Sequence, residues 1–96
     1  MLVVNVHMQA APGQEAALKE ALMGLVGPTR QEDGCLLYDL HFDPKDPGKF
    51  MFYEIWTSKE ALDRHGETAH IQALRRRRET LFAKPSELTL WHKLEA

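Results

Sequence analysis

Six residues in this chain have the chemistry for proton transfer near neutral pH: His7, His41, His65, His70, His92 and a glutamate, Glu54, set inside an aromatic run. Histidine leads because its ordinary pKa already lies close to neutrality. His65 and His70 stand on either side of Gly66, so a helix break there would let them converge on one pocket. Two ordinary helix-surface histidines are the plainer alternative. Glu54 sits in the middle of KFMFYEIWT, where a carboxylate is costly unless paired. It therefore either orients a histidine or forms a structural salt bridge, with Arg30 as a candidate partner. Phe52 and Trp56 flank it as core residues or as walls that stack on an aromatic ring. His41 falls on a polar strand face, within reach of Asp39 or Glu54. Asn5 and His7 lie at the far end of the same face.

Other chemistries have less to stand on. Three histidines and a glutamate are metal ligands in kind, but no compact motif such as H-E-x-x-H is present, and no metal is expected. Cys35 is the one cysteine, with no base paired beside it. It reads as a small strand residue and leaves no partner for an intrachain disulfide, which fits a reducing cytoplasm. There is no phosphate loop, no G-x-G-x-x-G and no G-x-S-x-G.

The elements that must position these residues follow from periodicity. Residues 2–9 (LVVNVHMQ) alternate as a strand. Pro12 and Gly13 end it. From Gln14, Ala17, Leu18, Ala21, Leu22, Leu25 and Val26 make one apolar stripe of an amphipathic helix, which Gly27-Pro28 should break or kink. Gly34 suits a left-handed stop. Residues 35–43 and 49–57 read as antiparallel strands around the loop PKDPG. Ser58 is placed to cap a helix, Gly66 to interrupt it, and a further helix is expected from about Thr68 to Phe82. Pro85 stops that helix before a last strand, residues 87–94. Strand, helix, strand, strand, helices, strand is the split β-α-β order of α+β, ferredoxin-like folds, with one antiparallel sheet bare on one face.

The 96 residues make one domain, 44% apolar and 27% charged, with a net charge of −2. That balance excludes disorder and gives no pull toward nucleic acid or an acidic membrane surface. No apolar stretch approaches the roughly 20 residues of a membrane span, and the N-terminus lacks the blocks of a signal peptide. A chain this short buries only about two-thirds of its unfolded surface, a motive for pairing with a second copy.

By alternation, Leu2, Val4 and Val6, then Leu36, Tyr38 and Leu40, then Met51, Tyr53 and Ile55 form purely apolar sides. The opposite sides carry Asn5, His7, Asp39, His41, Glu54 and Trp56. Either the apolar side packs on the helices and the polar side is wet, or the apolar side meets a partner and the polar groups line a cavity under the helices.

Arg30 with Gly34-Cys35, Tyr38-Asp39-Leu40-His41, Phe52-Tyr53-Glu54 with Trp56, and Glu60-Ala61-Leu62 with His65 and His70 resemble the antibiotic biosynthesis monooxygenase (ABM) domain family, in its quinol monooxygenase branch. The likeness runs along essentially the whole chain. It implies a homodimeric α+β barrel with a cavity in each monomer. It also implies oxygenation of a quinol or polycyclic phenol by dioxygen without metal, flavin or haem. The C-terminal helix of haem-degrading relatives carries an axial histidine, where this chain has Arg75 to Arg78. That run reads as a solvated helix face, one member of which could meet an anionic substrate. On this reading His65 or His70 is the base and Glu54 its orienter. Trp56 and Phe52 hold the ring, and His41, Arg30 and Asn5 add polar contacts. An isomerase, or a dimer that only binds aromatic ligands, is the alternative.

Overall fold

The computed structural model describes residues 1–95. Four strands, β1 (Leu2–Gln9), β2 (Cys35–Asp43), β3 (Asp46–Trp56) and β4 (Glu87–Trp91), make one antiparallel sheet in the order β2-β3-β1-β4. Helices α1 (Glu15–Arg30), α2 (Lys59–Gly66), α3 (Ala69–Arg76) and the short α4 (Arg78–Leu81) complete the ferredoxin-like α+β fold. Leu18, Leu22 and Leu25 of α1 and Leu81 of α4 pack with Val4, Phe50, Phe52 and Trp56 of the sheet as the core.

Local chemistry accounts for most boundaries. The Ser58 hydroxyl accepts from the Ala61 N–H at 3.1 Å and starts α2. Thr68 does the same for α3 through the Ile71 N–H at 3.4 Å. Gly34 turns the chain from α1 into β2 at φ +89°. A Cβ there would lie 2.6 Å from the Ala61 Cβ and 2.7 Å from the Thr57 hydroxyl, so both the backbone conformation and the space require glycine.

Four boundaries differ from expectation, the simplest being β4, which ends at Trp91 rather than at residue 94. Helix α1 runs through Pro28 to Arg30. Gly27 has no Cβ for the proline ring to strike, and the carbonyl that loses its donor belongs to the solvent-exposed Gly24. The expected helix from Thr68 to Phe82 divides at Arg77 into α3 and α4. Strand β3 begins at Asp46, because the Asp43 carboxylate accepts from the Lys45 N–H and the Asp46 carboxylate from the Gly48 N–H, tightening the hairpin.

The hairpin sets the phase of β3, and this corrects the face assignment. Val4 and Tyr38 both pair with Glu54, while Asn5 and Asp39 pair with Tyr53. Glu54 and Trp56 therefore lie on the helix side beside Val4 and Tyr38. Asn5, His7, Asp39 and His41 share the outer face with Met51, Tyr53 and Ile55. Leu2, Val4 and Val6 of β1 and Tyr38 and Leu40 of β2 pack in the protein's own core rather than facing outward, whereas Leu36, beside the register shift after Cys35, is exposed.

Candidate active site

A cavity of about 510 Å³ opens between the helix side of the sheet and the α2–α4 segment. Its floor is Val6, Met8, Tyr38, Phe52 and Glu54, and Leu88 and Leu90 of β4 form one flank. Helices α1 to α3 supply Leu25, Leu62, His65, Ile71 and Leu74, and charged side chains ring the opening. The volume and the apolar lining with a few convergent polar groups suit a small aromatic ligand.

His65 is the polar centre of the helical wall. The N-cap at Ser58 fixes the start of α2, and its last turn places His65 over the sheet, where the residue is 7% exposed. The ring lies 4.8 Å from the Trp56 ring and meets Tyr38 edge-on at 5.5 Å. The His65 Nδ1 is 2.8 Å from Glu32 Oε2, and the same oxygen is 2.7 Å from His70 Nε2. A carboxylate partner selects the tautomer with hydrogen on Nδ1, which leaves His65 Nε2 as the free ring nitrogen. Burial pushes the His65 pKa below its ordinary value. Bonding to Glu32 opposes this, and the charges of His70 and Arg75 reinforce it.

Glu54 occupies a different role from the expected one. Among the described residues its side chain bonds neither a histidine nor an arginine. The Trp56 indole N–H donates to Glu54 Oε1 at 2.8 Å. Burial pushes the Glu54 pKa up to about 7. Indole donation opposes that rise, and the Glu32 charge adds to it. The floor also carries Tyr38, stacked on Phe52 at 4.4 Å, its phenol pKa driven far upward by burial and by Glu54.

The remaining candidates separate cleanly. Phe52 borders the cavity as expected, whereas Trp56 lies fully buried beneath His65 and Glu54 and serves as their support. His70 faces a groove between α1 and α3, bonds Glu32, and sets its ring 6.1 Å from that of His65. Arg30 donates to the Tyr38 carbonyl at 3.2 Å and to Asp39 at 3.0 Å, clamping the end of α1 to β2. With His41 it borders a groove along the β2 edge, away from the cavity. Asn5 lies across the sheet on the outer face. Phase error in β3 accounts for the expected grouping of His41 and Asn5 with Glu54.

Glu32 had escaped the sequence reading. It sits in the polar connection before Gly34, and no local motif marks it as the partner of residues 33 and 38 positions away. Glu32, His65 and His70 are also the described cluster able to hold a metal, with donor atoms within 4.8 Å of one another. Their 2.7–2.8 Å contacts are hydrogen-bond distances, and ligands sharing one ion at about 2.1 Å each would sit farther apart.

A split β-α-β sheet roofed by helices over a histidine-bearing apolar cavity defines the class, and the antibiotic biosynthesis monooxygenase family model matches residues 1–77. The chain belongs to that family. It is 33% identical over 94 residues to Rv0793 of Mycobacterium tuberculosis, provisionally named a monooxygenase, spanning 98% of this chain and 92% of that one. It is 27% identical to the uncharacterised sll1783 of Synechocystis, and spans 61% of that longer protein. Among solved structures, PA3566 of Pseudomonas aeruginosa superposes with a TM-score of 0.94 at 37% identity, covering 98% of this chain and 94% of that one. A crystallised antibiotic biosynthesis monooxygenase gives 0.92 at 34% identity, covering 99% and 100%. No described helix is long and apolar enough to cross a membrane.

Proposed function

We propose that the chain oxidises a hydroquinone-like or polycyclic phenol to its quinone with dioxygen, and that His65 is the base. The observation that carries this reading is the Glu32–His65 contact, which leaves a free imidazole nitrogen on a residue that lines an apolar cavity. A lowered His65 pKa keeps that nitrogen unprotonated at neutral pH, the state a base requires.

The reaction asks little else of the protein. His65 takes the phenol proton, and the electron-rich phenolate passes one electron to dioxygen. The caged radicals then combine at ring carbon as a peroxide anion, and protonated His65 returns its proton to the outer oxygen to give the hydroperoxide. A base then takes the remaining C–H proton, the C–H electron pair forms the ring carbonyl, and the O–O bond breaks to expel hydroxide, which that proton converts to water. One oxygen atom enters the quinone and one leaves as water, so no outside reductant is needed. Phe52 and Tyr38 hold the ring, and the apolar walls keep water from the intermediate. Glu54, with its pKa near 7, can accept or return the second proton. His70 and Glu32 position the base.

The outer face, with Val3, Leu37, Met51, Tyr53 and Ile55 half-exposed, is in this reading the contact to a second copy. Oxygen uptake with naphthol or dihydroxynaphthalene tests the function. His65→Ala should abolish enzyme-dependent uptake and His70→Ala should only reduce it. Equal rates in wild type and His65→Ala would sink the assignment.

A further inference from the structure

The rim of the cavity carries Lys59, Arg75 and Arg78 against Asp63 and Glu67, three positive charges facing two negative ones. Their pairing is uneven. Lys59 is bonded to Asp63 within α2. Arg75 gives one guanidinium nitrogen to the Gly66 carbonyl at 2.9 Å, closing the end of α2. Arg78 makes no ion pair and no side-chain hydrogen bond among the described residues. Their three-residue spacing puts Arg75 and Arg78 on the cavity side, while Arg77 faces the groove that holds His70. The arginine run is therefore not one uniform solvated face.

Resting on the functional reading above, we infer that the substrate is an aromatic ring bearing one carboxylate, and that this carboxylate seats on Arg78 with Arg75 beside it. A guanidinium fork matches a planar carboxylate in two parallel hydrogen bonds. The rim's excess of a single positive charge suits a monoanion, whereas a dianionic phosphate would also meet Asp63 and Glu67. Between these charges and the buried Phe52 the cavity is lined by apolar side chains, among them Phe82, Leu74 and Leu88. A ring entering behind its anchored carboxylate would thus point inward to His65. Arg75 already acts on His65, since its charge helps to lower that imidazole's pKa.

Binding under nitrogen tests this apart from turnover. Calorimetric titration compares naphthol with its carboxylated analogue, hydroxynaphthoate, on wild type, Arg78→Gln, Arg78→Lys and Arg78→Glu. Wild type should prefer the carboxylate by on the order of tenfold, and added salt should erode that preference. It should collapse toward unity in Arg78→Gln, survive in part in Arg78→Lys and invert in Arg78→Glu. Equal affinities in wild type, or a preference that persists in Arg78→Gln, overturn the inference. Binding of both compounds without oxygen uptake in air would overturn the oxygenase reading alone, and failure of both to bind would overturn the two together.

Discussion

Glu32→Gln keeps the size of the side chain and removes its charge. One carboxylate oxygen receives both imidazoles, at 2.8 and 2.7 Å, and the side chains of His65, His70 and Glu32 are only 9%, 23% and 13% exposed. Water therefore screens the contact poorly. Hydrogen bonds to a charged acceptor contribute roughly 1.5–3 kcal/mol and neutral ones about half as much. Each imidazole thus loses about 1 kcal/mol of orientation, near a fivefold loss in rate. The amide can also turn its NH₂ toward His65 Nδ1, which favours the tautomer carrying hydrogen on Nε2, where the base must be free. Together these predict a fall in kcat of about 10- to 1000-fold. A merely structural role would not move the pH profile, and this one should. Glu32 holds the His65 pKa up against burial and the charges of His70 and Arg75. Without Glu32 the pKa falls further, so the acid limb of kcat/KM shifts to lower pH while the plateau drops. Oxygen uptake across roughly pH 5 to 9, paired with NMR titration of the His65 ring, measures both. A lowered plateau with an unmoved limb and an unchanged titration would refute the assignment of Glu32 as the group that positions His65.

Other expectations follow from single contacts. Glu54 has a folded pKa of about 7 against an ordinary 4.5, so the folded state binds the extra proton. Stability contributed by this group is present below about pH 4.5 and is lost as pH rises to about 7, on the order of 3 kcal/mol. Glu54→Gln keeps an acceptor for the Trp56 indole, so its thermal midpoint should exceed wild type at pH 8 by more than at pH 4, and equal differences would contradict the shift. Gly34→Ala combines a left-handed backbone with contacts of 2.6 and 2.7 Å. It should cost about 2–5 kcal/mol, whereas Gly13→Ala, with φ +81° and open space around it, should cost about 1–2 kcal/mol. Thermal melts of the two variants decide this. On the proposed contact through the outer face, wild type should scatter light as a dimer and Ile55→Lys as a monomer without loss of secondary structure, and equal masses would remove that face as the contact.

Strand and helix identities were legible because their periods are unambiguous: alternation in LVVNVHMQ, and three- and four-residue steps from Ala17 to Val26. The caps at Ser58 and Thr68 and the stop at Gly34 carry local signatures too. Pairing phase does not. Alternation orders residues within a strand, but a tight hairpin and the register shift between Phe42 and Asp43 determine which face of β3 meets which face of β2. That one shift moves Glu54 and Trp56 indoors and leaves His41 and Asn5 outside. The types and positions of His65 and Phe52 pointed to a shared pocket, and both line the cavity. Glu32 was not legible, because its bond to His65 spans 33 residues and depends on where the turn after α1 lies relative to α2 and α3. Likewise, a run of identical residues does not mark which side of the helix meets the cavity and which meets the groove beside His70.

Oxygen-18 labelling follows the reacting atoms themselves. Wild type given a naphthol under labelled dioxygen should yield quinone with one labelled oxygen atom, and His65→Gln should yield none above the buffer rate. Quinone labelled from water, or equal labelled product from His65→Gln, would contradict base-assisted oxygenation in this cavity.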